Sequence, residues 1–345
     1  MNLASRLGIA WPLIQAPMAG VQDAELAIAV SEAGGLGSLP AAMLSPEALG
    51  EQIALIKRAG IEAFNVNFFC HTPPPPDPAA DAAWRETLAP YYAEYGIDPS
   101  TVGAGAGRQP FDETSMAIIK ATRPPVISFH FGLPDLAFVD EIRTLNLLIA
   151  SSATTVAEAV WLDRNGADVI IAQGLEAGGH RGSFLDLSLS SQTRLDELLP
   201  QVCAATSKPV IAAGGIAGAN DIRRCMADGA AGVQVGTSYL LCPEASTRAV
   251  HREALRQTRQ GTAVTNVFSG RPARGIRNRA IEELGPISEK APAFPGASDA
   301  LVPLREAAEA AGHGDFSPLW SGTDRSGCAE VSAAEMTARL SAGFD

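Results

Sequence analysis

A histidine and an arginine lie in a glycine-rich segment that directly follows a short apolar run. The run, Ala167–Ile171, is typical of a buried strand. Glycines in the segment Ala172–Gly182 permit backbone conformations and close approaches that other residues forbid, so this loop could hold His180 against a flat cofactor. Histidine is the side chain whose unperturbed pKa lies nearest neutrality, which suits proton transfer. Taken alone, the segment is equally compatible with a glycine-rich turn that carries an incidental surface histidine.

Two later apolar runs also end in glycine. Gly214-Gly215 follows the first of them, and Gly236-Thr237 follows the second. Backbone N–H groups at such positions, together with a threonine hydroxyl, are a recurrent means of binding phosphate. The sequence therefore predicts a phosphate site here, against the alternative that the glycines only permit tight turns.

Three neutral amide side chains accompany these glycines, and each lies in or directly after a predicted strand: Asn67, Gln173 and Gln234. An amide both donates and accepts hydrogen bonds, so a group of amides suits the edge of a heterocycle such as isoalloxazine. A single amide in such a place is more often a structural hydrogen-bonding group.

Neither a metal motif nor a hydrolase triad is present. The five histidines show no HxxxH or HExxH spacing, no carboxylates cluster at the strand ends, and GxSxG is absent. We therefore predict no metal site. A phosphate clamp, amides and a histidine, without a metal or a nucleophile, leave the chemistry to an organic cofactor, and FMN fits best.

The elements that must position these residues alternate regularly. Eight strand-like runs are separated by stretches with helical periodicity, and each run is apolar on both faces. This pattern predicts a (β/α)8 barrel, with the active site at the C-terminal ends of the strands. A doubly wound open sheet is the alternative, but eight strands and the lack of GxGxxG favour the barrel. The predicted strands are 12–18, 36–39, 64–69, 125–131, 145–150, 167–171, 209–213 and 232–235.

Two regions interrupt the alternation. Residues 71–110 begin with four prolines and hold three of the four tyrosines, and residues from 258 onward lack the strand–helix rhythm. We predict that 1–70 and 111–257 form the FMN-binding barrel. Residues 71–110 and 258–345 are predicted to form a smaller, mostly helical lobe over the barrel mouth, on the substrate side.

Composition excludes several classes of protein. The chain has 345 residues, 46% of them hydrophobic, and a formal net charge of −12, which argues against broad nucleic-acid binding. Five dispersed cysteines predict reduced thiols and no structural zinc. Without a signal peptide or an apolar run of about 18 residues, we expect a cytoplasmic protein that does not enter the membrane. Arginines are dense over 248–279, which predicts a solvated helix face and a loop that pair with acidic residues, with an anionic ligand as the alternative.

At these positions the chain resembles the nitronate monooxygenases, formerly called 2-nitropropane dioxygenases. The segments that carry the resemblance span nearly the whole chain, and the EAGGHRG element is the most specific of them: 15–20, Asn67, 173–182, 213–216, 234–237 and 319–322. The resemblance implies an FMN-dependent barrel enzyme that oxidises alkyl nitronates with O2. Carried over to this chain, it assigns FMN binding to Met18, Asn67, Gln173, Gly178, Gly215, Gln234, Gly236 and Thr237.

The resemblance also assigns two histidines to the substrate side. His180 would take an α-proton from a neutral nitroalkane, and its protonated form would offset the charge of an anionic nitronate. His130, after the fourth strand, would be a second substrate-side group. The chain departs from the family pattern in having no tyrosine after Tyr239, which concerns the lobe side of the pocket.

Two other functions remain open at this stage. An FMN-dependent enoyl-acyl-carrier-protein reductase shares much of the strand-end glycine pattern, and a flavin-free phosphate-binding barrel is a more distant alternative. The sequence does not fix the oligomeric state, so a homodimer stays open. The expected partners are an anionic small molecule and O2.

Overall fold

The computed structural model describes residues 3–103, 107–257 and 259–345. Eight parallel strands form its central sheet, and their order along the sheet is first, eighth, seventh, sixth, fifth, fourth, third and second. A parallel bridge between Ile14 and Leu36 brings the first strand next to the second. The predicted (β/α)8 barrel is therefore confirmed. Its strands are β1 (Leu13–Gln15), β2 (Gly37–Pro40), β3 (Phe64–Phe69), β4 (Val126–His130), β5 (Leu148–Ala153), β6 (Val169–Gln173), β8 (Val210–Ala213) and β9 (Gly232–Val235).

A second, antiparallel sheet was not predicted. It consists of β7 (Gly179–His180), β10 (Thr262–Thr265) and β11 (Ala273–Ile276), with β11 in the middle. His180 pairs with Ala273 in this sheet, so the glycine-rich loop is fixed to the C-terminal part of the chain.

Helices surround the barrel and build the rest of the molecule. Three of them begin at a capping side chain: those of Asp23, Ser45 and Asp112 each accept a backbone N–H of the first turn. The helices are α1 (Leu3–Leu7), α2 (Ala24–Glu32), α3 (Pro46–Arg58), α4 (Pro78–Glu94), α5 (Glu113–Thr122), α6 (Leu136–Thr144), α7 (Val156–Asn165), α8 (Leu195–Ala205), α9 (Ala219–Ala227), α10 (Ala249–Arg256), α11 (Arg279–Leu284), α12 (Ala297–Ala310) and α13 (Ala333–Ser341), with short 3₁₀ turns at Pro99–Thr101, Leu189–Ser191 and Thr237–Leu241.

The fifth strand lies three residues later than predicted. The apolar run 145–150 suggested its position, but Leu145 caps α6 and Asn146 has a φ of 58°, so the chain turns there. The strand continues through Ser151 and Ser152, which are buried. The Ser151 hydroxyl donates to the carbonyl of Gly132 at 2.8 Å, and this bond offsets the cost of burying a polar group in the barrel.

The insertion and the C-terminal segment share a second hydrophobic core. Trp84 and Tyr92 of α4 are buried, and their polar ends donate to the carbonyls of Ala297 and Ala300 in α12. Helix α13 instead packs against α2 and α9, and its buried face belongs to the barrel core. The proposed division into two regions stays a prediction, with α13 on the barrel side. Residues 1–2 and 104–106 and the predicted boundary at 258 lie outside the described residues.

Three of the eight arginines of 248–279 form ion pairs among the described residues, so the predicted pairing with acidic residues holds for part of this segment. Arg248, Arg256 and Arg279 form ion pairs with Glu309, Glu330 and Glu94. Arg271 is different, because its guanidinium lies over the ring of Phe131 at 3.9 Å from the centroid. All five cysteines carry free thiols, as the sequence predicted. Within the described ranges, no helix is both long and apolar enough to span a membrane.

Candidate active site

One cavity at the C-terminal ends of the barrel strands brings together all ten site residues predicted from the sequence. It holds roughly 1370 Å³ of space, its open mouth included. The ten residues are Met18, Asn67, His130, Gln173, Gly178, His180, Gly215, Gln234, Gly236 and Thr237. Residues from six barrel strands and their loops therefore converge at this end of the barrel, as the fold requires.

A buried arginine holds the glycine-rich loop in place. Arg181 is fully buried and donates to the carbonyl oxygens of Gln173 and Gly174 at 2.8 Å and to Oε1 of Gln192 at 2.6 Å. Burial lowers the pKa of Arg181 to about 9. Glu176 accepts from the backbone N–H of Leu195 at 3.0 Å. Both residues stabilise the loop.

Two side chains fix the backbone of His180. Nε2 of His130 and Nε2 of Gln173 both lie within hydrogen-bond distance of the His180 carbonyl oxygen, at 3.1 and 2.9 Å. A carbonyl can only accept, so Nε2 of His130 carries the proton and Nδ1 accepts from the Ser152 hydroxyl at 3.1 Å. Both ring nitrogens of His130 are therefore occupied. This geometry favours positioning of His180 as the role of His130, and its predicted contact with substrate stays a prediction.

The ring of His180 is oriented by a serine of the C-terminal segment. Nε2 of His180 lies 2.9 Å from Oγ of Ser269, and that hydroxyl lies 3.3 Å from the Arg271 carbonyl. When Ser269 donates to this carbonyl, its oxygen accepts from His180, so Nε2 carries the proton and Nδ1 keeps its lone pair. The rings of Phe294 and Trp320 lie 5.4 Å from the imidazole, edge to face. The arrangement can present an unprotonated nitrogen in an apolar setting.

Burial and neighbouring cations keep His180 neutral. Burial is the main cause that lowers its pKa well below the ordinary value, and the charges of Arg108, His130, Arg271 and His71 lower it further. The lowered pKa favours a neutral imidazole, and the expectation that a protonated His180 offsets the charge of a bound anion stays a prediction. The positive charge beside the imidazole comes from Arg108 and Arg271, which leaves His180 available as a base.

Three further buried histidines predict a pH-dependent stability. Burial lowers the pKa of His71, His130 and His251 to about 4, below the unfolded value of 6.5. As the pH falls below 6.5, the unfolded chain takes up protons first, so stability is lost between about pH 6.5 and 4. At about pH 5 the loss should reach about 2 kcal/mol for each histidine.

Urea unfolding at about pH 7.5, 6 and 5 measures this loss, since few carboxylates titrate in that window. In the variant His251→Gln the dependence should be weaker, whereas His313→Ala, which changes an exposed histidine, should keep it unchanged. An unfolding midpoint that stays constant from pH 7.5 to 5 would contradict the burial argument.

The opposite wall of the cavity fits a planar heterocycle and a phosphate. Oε1 of Gln234 is buried without a hydrogen-bond partner, which is costly unless a bound group supplies a donor. The side-chain NH2 of Asn67 donates to the carbonyl oxygen and to the hydroxyl of Ser128, and these bonds fix its orientation. Gly215 has a φ of +67°, a conformation that disfavours other residues.

A C-terminal strap, defined as residues 319–323, closes one side of the cavity. The Gly322 N–H donates to Oγ1 of Thr237 at 3.0 Å, and the Thr323 N–H donates to the Glu176 carbonyl at 3.0 Å. A Cβ at Gly178 would lie 2.5 Å from the Gly322 nitrogen, so only glycine permits this approach. The strap therefore joins the loop after β6 to the predicted phosphate site.

Sequence reasoning missed several residues that line the cavity or orient His180: Arg108, Ser269, Trp320, Ser321 and Gly322. Arg108 had one usable signal, because it is the only charged residue between Asp98 and Asp112. Trp320 contributed to the resemblance but had no assigned place. It lies on the lobe side of the cavity, where the chain lacks tyrosines, and His251 contacts its carbonyl at 3.1 Å.

Known proteins are similar to this chain over nearly its whole length. The family model described as nitronate monooxygenase matches residues 2–343. The chain is 39% identical to a nitronate monooxygenase of Pseudomonas aeruginosa, over 97% of this chain and 96% of the relative. It is 36% identical to one of Paraburkholderia phytofirmans, over 97% and 92% of the two chains.

Solved structures show the same fold. A nitroalkane oxidase from Streptomyces ansochromogenes is similar with a TM-score of 0.89 and 36% identity, over 99% of this chain and 97% of that one. The structure of FabK from Thermotoga maritima has a TM-score of 0.76 at 23% identity, over 100% and 96% of the two chains. At that identity the second likeness concerns the fold alone.

Proposed function

The chain belongs to the nitronate monooxygenase family, a family of oxidoreductase enzymes, and we propose that it oxidises alkyl nitronates with O2, using FMN. The products are a carbonyl compound and nitrite. The observation that carries the proposal is the convergence of the ten predicted residues on one cavity. Neutral nitroalkanes are included as substrates, because His180 is held as an unprotonated base.

The residues present fit a flavin mononucleotide. Members of this family are flavin-dependent, and the unpaired Gln234 oxygen is a buried acceptor for an N–H donor of a bound heterocycle. The amides of Asn67 and Gln173 complete the polar edge of the cavity, with Met18 and Gly178 beside them. Phosphate would be held by Gly215, Gly236 and Thr237. When bound, the flavin supplies the redox chemistry, in which electrons pass from the substrate to O2.

The protein supplies positioning and proton transfer. His180 takes the α-proton of a neutral nitroalkane on Nδ1, while Ser269 holds the Nε2–H side of the ring. A nitronate already lacks this proton, so its oxidation does not require the base. Arg108 and Arg271 give the surroundings of His180 the positive charge that favours an anion, in a chain whose net charge is −12.

Two measurements on the purified protein test the proposal. We expect a flavin absorption spectrum with FMN released on heating, and O2 uptake with propionate-3-nitronate or propyl-2-nitronate. Nitrite should appear in proportion to the O2 consumed. Anaerobic mixing with NADH should leave the flavin band unchanged, whereas rapid bleaching would favour an enoyl-acyl-carrier-protein reductase. A colourless protein without O2 uptake would refute the proposed function.

A further inference from the structure

A second pocket, here called the side pocket, shares Arg108 and Trp320 with the main cavity. It is smaller, with roughly 340 Å³ of space including its mouth. Arg305 of α12 joins Arg108 in its wall. The remaining residues are two serines and apolar side chains: Ser269, Ser298, Phe268, Leu301, Val302, Phe316 and Pro318.

Within the described part of the chain, the two guanidinium groups of the side pocket form no ion pair with a carboxylate. Nε of Arg305 is buried without a hydrogen-bond partner, and among the described residues neither Arg108 nor Arg305 has a carboxylate oxygen within 4.0 Å. The polar contact of Arg108 is long, 3.4 Å to Oγ of Ser298. Glu309 lies near Arg305 but is already bound to Arg248 and to the hydroxyl of Ser317. Two half-buried cations therefore share a pocket, and the carboxylates that act on them, Asp299 on Arg108 and Glu306 and Glu309 on Arg305, form no ion pair with them within 4.0 Å.

The other polar groups of the pocket are already engaged. The Ser298 hydroxyl donates to the Pro295 carbonyl at 2.7 Å, and the Ser269 hydroxyl lies 3.3 Å from the Arg271 carbonyl. The available donors are therefore the guanidinium N–H groups, which bind planar oxyanions in pairs. Burial is the main cause that lowers the pKa of both arginines. At Arg108 the charge of Asp299 opposes this effect, and the charge of Arg305 adds to it.

We propose that the side pocket binds a small planar anion with two oxygens, held by Arg108 and Arg305. Nitrite and carboxylate groups share this shape and charge. The small volume excludes a second nucleotide and suits a group of a few atoms. Arg108 borders both spaces, so the side pocket lies next to the cavity in which an anionic product would form. Only this link to turnover depends on the proposed function, in which nitrite is the product.

Anion binding is tested by thermal unfolding of the protein as purified, with its cofactor, in rising sodium nitrite or sodium formate at constant ionic strength. A ligand that binds only the folded state raises Tm in a saturable way. In Arg305→Met the apparent Kd should weaken at least about tenfold, because charge-assisted hydrogen bonds are lost. Arg164→Met, an exposed arginine on α7, is the matched control and should behave like the wild type.

The result that overturns the proposal is an equal Tm response in Arg305→Met and wild type, or no saturable response in the wild type. If Arg305→Met does not fold, Arg305→Lys serves in its place. Lysine keeps the charge but lacks the forked donors, so binding should still weaken. This experiment needs no turnover. A protein that binds nitrite but does not oxidise nitronates would therefore refute the proposed function and leave the site intact.

A second measurement identifies the source of the anion. If the product nitrite occupies the pocket, Arg305→Met should raise its inhibition constant at least about tenfold without changing the KM of propyl-2-nitronate. If a carboxylate on the substrate occupies it, the KM of propionate-3-nitronate alone should rise. Either result supports the site, and no change in any of these constants would overturn its link to turnover.

Discussion

Replacing His180 by alanine should lower kcat/KM for a neutral nitroalkane about 10²- to 10⁴-fold, the range that general base catalysis contributes. Turnover of the matching nitronate should fall much less, because that substrate has already lost its α-proton. The structural basis is a half-buried imidazole whose pKa lies well below its ordinary value and whose Nε2 faces Ser269. Oxygen uptake with nitroethane and with ethyl nitronate, measured in parallel, gives both values.

The pH dependence separates this role from a structural one. Since the pKa of His180 is low, kcat/KM of the wild type for nitroethane should stay level as the pH falls from 8 to below about 6. His313→Ala, which removes an exposed histidine, should match the wild type in every assay. Full turnover of both nitroethane and its nitronate by His180→Ala would show that His180 is not the base. Retained flavin absorbance in the variant verifies that the cofactor site is intact.

The barrel could be predicted from the sequence because its strands are locally encoded. Runs such as Phe64–Phe69 and Val210–Ala213 are buried on both faces, and nearby prolines, glycines and capping residues mark their ends. The fifth strand was placed wrongly because its later residues lack such a local signal. Its later residues, Ser151 and Ser152, are buried and polar, and their hydrogen bonds come from elements that no local pattern reveals.

Some residues of the candidate site could likewise be predicted from the sequence, and others could not. Residues at strand ends, such as Gln173 and Gln234, follow from the rule that barrel sites form there. Arg108 and Ser269 come from segments outside the strand–helix rhythm, and only the folded chain brings them beside His180. The second sheet was missed because β7 has two residues and pairs with a strand more than 90 positions away. Such pairings carry no short-range sequence signal.

Replacing Arg181 by methionine should lower the free energy of unfolding by about 3–5 kcal/mol. Arg181 is fully buried and donates three hydrogen bonds within the glycine-rich loop and to Gln192. Methionine fills similar space but leaves the carbonyls of Gln173 and Gly174 and the oxygen of Gln192 without donors. Each buried acceptor without a donor costs about 1–3 kcal/mol, partly offset because a charge no longer has to be buried. Urea unfolding measures the difference.

The same substitution should also lower catalytic activity, because Arg181 directly follows His180 in the loop. A loosened loop would move the His180 carbonyl away from His130 and Gln173, so nitroalkane turnover and flavin retention should fall together. Arg181→Lys should be nearly as damaging, since one ammonium cannot reach acceptors arranged for a forked guanidinium. Arg164→Met, on the exposed face of α7, should change stability by less than about 0.5 kcal/mol. An unfolding midpoint of Arg181→Met equal to that of this control would mean that the loop keeps His180 in place without the buried arginine.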